Sequence, residues 1–489
     1  MKASLNVGTT PSPIGWGVWR VAIVVVLGMI MSILDTTIVN VALESLARDL
    51  NTSLSEIQWV VTAYLLALAA VIPISGWAAR RIGARRLFIV SAVLFTVGSM
   101  LCGAATSVTE LTIFRVIQGL GGGMLMPVGQ MILVKKAGRA NLPRVMSAIG
   151  VPLILGPVFG PTIGGLLLDN IGWRWIFFVN LPVGIAAVIA AVILLPRDSA
   201  ENAGRLDVGG LVLAAAGLVA LTYGLAETGS SDVGSPHVLA PALIGLALIA
   251  IFVVRALRME RPLLDVRLFR NRAFSAASLT TFCLGAAMFG GMILMPLYYQ
   301  TVRHESAVTT GLLLAPQGVG AAFSMALSGR WVERYGAGLV SFGGGLVSIA
   351  ATVPFVLIGA HTSYVALSAT MVVRGFGMGM ASMPAMTAAF RVLEPHQIND
   401  AAPQLNVLQR VGGSIGTAIL TVILQHHLAG AGSSPSAQGA AFGSTFWWVL
   451  AVAAIATVPT LLLIRIERQA PAKGRATQVI PADVLVEVG

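Results

Sequence analysis

Stretches of about 20 mostly apolar residues recur along the chain, and this constrains the fold more than any other feature. They fall at 16–43, 56–77, 86–105, 110–134, 145–168, 173–195, 207–226, 239–258, 273–300, 308–329, 339–360, 364–390, 403–427 and 443–465. Each is long enough to cross a hydrocarbon core as a helix, the one open-ended element that satisfies its own backbone there. Two are interrupted: 207–226 by Thr222 and Tyr223, and 403–427 by Gln404, Asn406, Gln409 and Arg410. Only 10% of residues are charged and 56% are hydrophobic, whereas a soluble domain carries about 25% charged residues. The excess apolar surface has to face lipid. The expected fold is therefore all-α and polytopic, with about 14 transmembrane helices.

The net charge of +11 invites a nucleic-acid partner, but the basic residues form no single patch. With the N-terminus inside and the spans alternating, 25 of the 31 Lys and Arg residues fall in inside segments or at the inner ends of spans, 3 outside or at an outer end, and 3 in the interior of spans. That asymmetry is the positive-inside signature and puts both termini in the cytoplasm. The expected location is the inner (plasma) membrane, with the lipid bilayer as partner and no nucleic acid. The first apolar run is too long for a cleavable signal and reads as a retained anchor. Cys102 and Cys283 lie in apolar runs at no metal or disulfide spacing.

An internal repeat organises the chain. SGWAARRIGA at 75–84 is echoed by SGRWVERYGA at 328–337, with five matches at an offset of 253, including Gly76/Gly329, Arg81/Arg334 and Gly83/Gly336. A second echo pairs Arg115 and the following glycines with Arg374, Gly375, Gly377 and Gly379. Parallel repeats predict two similar bundles related by an axis along the membrane normal. The expected organisation is an N-terminal segment 1–15, a six-helix bundle 16–195, an inserted helix pair 196–258, an amphipathic cytoplasmic linker 259–272, a second six-helix bundle 273–466 and a tail 467–489.

Of the acids, only Asp35 sits deep in a span. Ionisable groups at that depth are expensive and face an interior cavity, and a carboxyl group that can exist neutral there suits a proton carrier. The bland alternative is an Asp bonded to Thr36 or a neighbouring helix. Arg115 is a matching cation, which needs a carboxylate, a carbonyl or substrate as acceptor. Thr36, Asn40, Tyr64, Gln118 and Arg374 are candidates for a substrate cavity. Gly156, Gly160 and Gly164 are four apart, a packing stripe, and Pro157 and Pro161 add kinks. No phosphate-binding loop, zinc-protease motif or nucleophile elbow is present, so no enzyme, metal site or cofactor is expected.

These segments resemble the major facilitator superfamily, and within it the fourteen-helix drug:proton antiporters, over nearly the whole chain. Leu34 to Leu43 resembles that branch's first-helix motif, and Gly76 to Arg86, with Arg80, Arg81, Gly83 and Arg85, the superfamily's loop motif. Arg115, Gln118, Gly119, Gly121 and Gly123 resemble its fourth-helix motif, associated with proton transfer. Gly150, Gly156, Pro157, Gly160, Gly164 and Gly165 resemble the antiporter fifth-helix motif, and Trp173 to Phe177 with Asn180-Leu181-Pro182 also fits.

The resemblance implies a secondary transporter that exports lipophilic or cationic drugs in exchange for protons. The proton gradient would be its energy source, Asp35 and Arg115 its coupling groups, and an outer-envelope partner is left open. Two positions depart from the pattern. Arg80 stands where the motif has an Asp that latches the bundles, so Arg80→Asp is expected to be tolerated and to raise transport; the second copy keeps an acid, Glu333. Glu44 replaces a Pro. Two other functions stay open: a facilitator taking up a metabolite, and a membrane sensor or scaffold that transports nothing.

Overall fold

The computed structural model describes residues 15–469, apart from 199, 202, 230–233 and 433. The expected segments 1–15 and 467–489 thus lie almost entirely outside the described residues. No strand occurs among the described residues. Among the described residues, thirteen helices are long and apolar enough to cross a membrane. In chain order they are α1 Trp16–Asp49, α2 Glu56–Ile82, α3 Ala84–Ala104, α4 Val108–Gly138, α6 Arg174–Leu194, α7 Val208–Ala226 and α8 Pro236–Arg258. The second half continues with α9 Arg272–Val302, α10 Val308–Tyr335, α11 Ala337–Leu357, α12 Tyr364–Arg391, α13 Pro395–Ala431 and α14 Pro435–Gln469.

The remaining crossing, α5 at 139–171, continues from α4 without a loop, but Gly138 takes a non-helical φ of 66° between them. One unbroken helix of that combined length would span about 96 Å, far more than a bilayer, so Gly138 separates two crossings. Both interrupted spans, α7 and α13, are helical throughout.

The two halves repeat each other in detail. Gly83 and Gly336 hold φ of 88° and 89° at the same point of each half, a conformation that costs glycine little. After each, the free N–H groups of the next helix meet a carboxylate from the end of the sixth crossing of that half or just past it. Ala84 and Arg85 donate to Asp198, and Ala337 and Gly338 donate to Glu467. The fourth helix of each half packs by alternating glycines. Gly119 and Gly123 touch Tyr64 and Leu68 of α2, while Gly121 touches Ser91 and Phe95 of α3. Gly375 and Gly379 touch Gln317 and Ala321 of α10, while Gly377 touches Gly344 and Ser348 of α11.

These contacts correct the second sequence echo. Tyr64/Gln317, Leu68/Ala321 and Phe95/Ser348 keep the offset of 253, but the fourth-helix glycines pair at 256. The loop before α12 is longer than the loop before α4 by those residues. Arg115 therefore corresponds to Met371, and Arg374 sits nearly one helical turn farther along.

The inserted pair packs through Gly217, Gly224 and Gly245, whose missing side chains let α7 and α8 backbones touch. Trp59 of α2 stacks on Tyr223 of α7 at 6.0 Å. The outer face of α8 leaves Leu243 and Leu246 exposed, as a lipid-facing helix does. The linker forms a 3-10 turn at Val266–Arg270, and Leu263 and Leu264 are buried against Phe252 and Ala256. Gln404 of α13 donates to the Asp265 carbonyl at 3.0 Å, tying this segment to the second bundle.

Candidate functional site

Asp35 and Arg115 meet as an ion pair with both side chains fully buried. α1 supplies the carboxylate and α4 the guanidinium. Gln118, one turn along α4, donates to Asp35 Oδ1 at 2.8 Å, and Asn180 at the start of the regular part of α6 donates to the same oxygen at 3.3 Å. Arg115 also donates through Nε to the Val60 carbonyl at 3.0 Å and through Nη1 to Gln118 Oε1 at 2.8 Å. Its guanidinium lies 4.0 Å from the centre of the Tyr64 ring, a cation–π contact. Tyr64 bonds Ser32 at 3.1 Å, and Asn180 bonds Ser99 at 3.0 Å. Donors from α4 and α6 therefore fill most of the lone pairs of one α1 carboxylate, and α2 and α3 support the cluster through Val60, Tyr64 and Ser99. Adding a proton to Asp35 removes the charge that holds Arg115 and turns an acceptor oxygen into a donor.

The sequence predicts that Asp35 faces a cavity, and here the structure differs. The cavity, about 980 Å3, lies on the other face of α1. Thr37, Asn40, Val41, Glu44 and Arg48 line it from the first half, following the three-and-four spacing of one helix face. Phe289, Met292, Met295 and Gln300 of α9, Leu314 and Gln317 of α10, and Thr417 of α13 line it from the second. It sits between the halves, toward the end of α1 away from the N-terminus.

Among the expected cavity residues, Asn40 is on the wall. Thr36 donates to the Ile33 carbonyl, Tyr64 and Gln118 belong to the Asp35 cluster, and Arg374 is buried behind the wall. The glycines of α5 explain how α1 is held. Gly156, Gly160 and Gly164 rest on Ile33, Thr37 and Ile38, the turns bracketing Asp35, and Gly150 rests on Met325 and Met383 of the second half. The side chain of Pro157 lies outside the described residues.

The end nearer the N-terminus is closed. Arg80 donates to Asp400 at 2.9 Å, and Arg144 donates to Glu333 at 2.7 Å, each pair joining the two halves. Ser147 bonds Ser328 at 2.8 Å, Gly76 lies against the Asn399 backbone, and Gly329 against Arg144. One layer deeper, Asn406 donates to Gln130 at 2.7 Å. Arg80 thus latches the halves with reversed polarity: the acid missing from the loop is supplied by α13. This contact argues against the expectation for Arg80→Asp, because that change would set a carboxylate against Asp400. Arg81, Gly83 and Arg85 occupy the same turn, and Arg85 donates to the Val192 carbonyl.

Asn180, Arg144 and Asp400 had no sequence signal as site residues beyond Asn180's place in a motif. One is neutral, and the others sit at helix ends where charges are ordinary.

The comparisons with known proteins agree with this architecture. The family model described as Major Facilitator Superfamily matches residues 25–417. The multidrug resistance protein B homolog of Mycobacterium tuberculosis is 42% identical over 420 residues, covering 85% of this chain and 78% of that protein. The multidrug export protein EmrB of Haemophilus influenzae is 33% identical over 398 residues, covering 81% and 78%. A solved structure of the proton:xylose symporter XylE superposes with a TM-score of 0.62 at 15% identity, covering 91% of this chain and 96% of that one, and so shares the fold.

Proposed function

Because the chain belongs to the major facilitator superfamily, and is thus a multi-pass membrane transporter rather than an enzyme, we propose that it exports small lipophilic compounds from the cytoplasm in exchange for protons. The observation that carries this reading is the fully buried Asp35–Arg115 pair, placed back to back with the cavity across a single helix. The names of the relatives support drug export as the direction.

In this reading α1 is the coupling element. A proton arriving at Asp35 frees Arg115 and loosens the bonds from Gln118 and Asn180. α1 then slides along the smooth glycine stripe of α5, which changes the cavity wall at Thr37 and Asn40. Proton and substrate act on opposite faces of one helix, and each shifts the balance between two shapes that the other prefers. The two shapes differ by which end is closed. The present one is sealed by Arg80–Asp400 and Arg144–Glu333 at the N-terminal end. With that end cytoplasmic, as the basic loops imply, it is open to the outside and ready to release substrate and take a proton. The bilayer is the inner membrane in this account.

The test is transport by the purified chain in proteoliposomes with an imposed pH gradient, scored with a panel of lipophilic dyes. Dye movement that follows the gradient and stops with an uncoupler supports antiport. Movement independent of the gradient supports a facilitator instead, and no movement of any compound sinks the transport reading.

A further inference from the structure

We propose that the floor of the cavity is an anion-binding position, in which Arg374 receives the acidic group of an amphiphilic substrate. The assignment rests on the cavity being the substrate site and names the chemical class that fits it. Arg374 is 2% exposed, yet no carboxylate among the described residues pairs with it. Its one hydrogen bond runs from Nη1 to Gln317 Oε1 at 3.5 Å, the outer limit for such a bond, and its Nε has no partner. Arg115 is buried to the same degree but has Asp35, Gln118 and Val60 around it. Beyond its bond to Gln317, Arg374 has only the Phe355 ring to face, 5.9 Å from its guanidinium; a cation at this depth without a carboxylate is costly, and such groups in membrane proteins serve a ligand or a pathway.

What separates Arg374 from the cavity is slight. Gly291 and Gln317 both line the cavity, and both touch the guanidinium. A Cβ on Gly291 would lie 2.3 Å from Arg374 Nη2, so at residue 291 only the backbone stands between the cavity and the guanidinium. The ion pair on the cavity lining, Glu44–Arg48, is at the mouth with side chains 83% and 71% exposed, and is internally neutral. Asp35 is engaged on the far side of α1. The floor is therefore electropositive, with Phe289, Met292 and Leu314 beside it to hold an apolar body. An amphiphile with a carboxylate, or another acid of similar size, would bring the missing charge and fill the unpaired donors, since a guanidinium binds a carboxylate through two parallel bonds.

The probe set is 4-(1-pyrenyl)butyrate, its methyl ester and a pyrenyl trimethylammonium salt, bound to the full chain in nanodiscs with empty nanodiscs subtracted. The expected wild-type result is at least about tenfold tighter binding of the butyrate than of the ester, the scale of a charge-assisted bond. Arg374→Gln should abolish that preference while leaving ester affinity within about twofold. Gly291→Ala, which inserts a methyl group at the guanidinium, should reduce the preference too, and it carries the test if Arg374→Gln is not monodisperse.

Equal wild-type affinity for butyrate and ester overturns the proposal. So does a preference that survives in the folded Arg374→Gln variant, or in Gly291→Ala where that variant is not monodisperse. Release of the butyrate by an equimolar amount of acetate also overturns it, by showing a site for small free anions rather than for substrate. Failure of the transport reading is separately visible: wild-type protein would then move none of the three probes in proteoliposomes, whatever the binding ratio.

Discussion

Asp35 and Arg115 are both fully buried, so changing either alone leaves a bare charge in the bundle. Removing one partner of such a pair costs about 3–5 kcal/mol in soluble proteins. Arg115→Gln is therefore expected to lower the melting temperature in detergent clearly. The double variant Asp35→Asn/Arg115→Gln should recover much of the loss, because it leaves neutral groups that can still bond one another. Double-variant stability no better than Arg115→Gln alone would show that the pair is not the source of the cost. These two residues were legible in the sequence because a charge inside an apolar run is costly unless something pairs with it. Asn180 was not singled out, since neutral amides in spans are common, and the face of α1 that carries Asp35 could not be assigned without knowing what α4 and α6 bring to it.

Among the helices, contact depends on small residues at close approaches. A Cβ on Gly160 would lie 1.9 Å from Thr37 Oγ1. Gly160→Val is therefore expected to push α1 off α5 and cut transport strongly, with correct insertion still visible on a gel; transport at the wild-type rate would mean that α5 is no track for α1. The latch makes a polarity prediction. Arg80→Asp should impair transport by opposing two carboxylates, and Arg80→Asp/Asp400→Arg should restore it. The pair is part-exposed, so the effect should be of order 1 kcal/mol. Equal activity in the single and the double variant would remove the latch. The sequence made the loop repeat visible because five residues match without a gap. It misplaced Arg374 because the longer loop before α12 shifts the register by less than a turn. It also left Asp400 unmarked, an acid at a helix start like many others.

At the scale of the whole molecule, the account requires the two ends to close in turn. Ser147→Cys/Ser328→Cys places two thiols where the hydroxyls are 2.8 Å apart across the closed end. Their disulfide should hold that end shut and stop transport until a reductant is added; transport through the crosslinked protein would contradict alternating access. The basic loops also predict that a reporter fused after residue 235 lies outside. The central claim is that Asp35 couples protons to substrate across α1, and the most direct test is substrate-driven proton movement in proteoliposomes containing Asp35→Asn. The account predicts that the variant inserts and still binds substrate but moves no protons when substrate is added. Wild-type proton movement in that variant would contradict it.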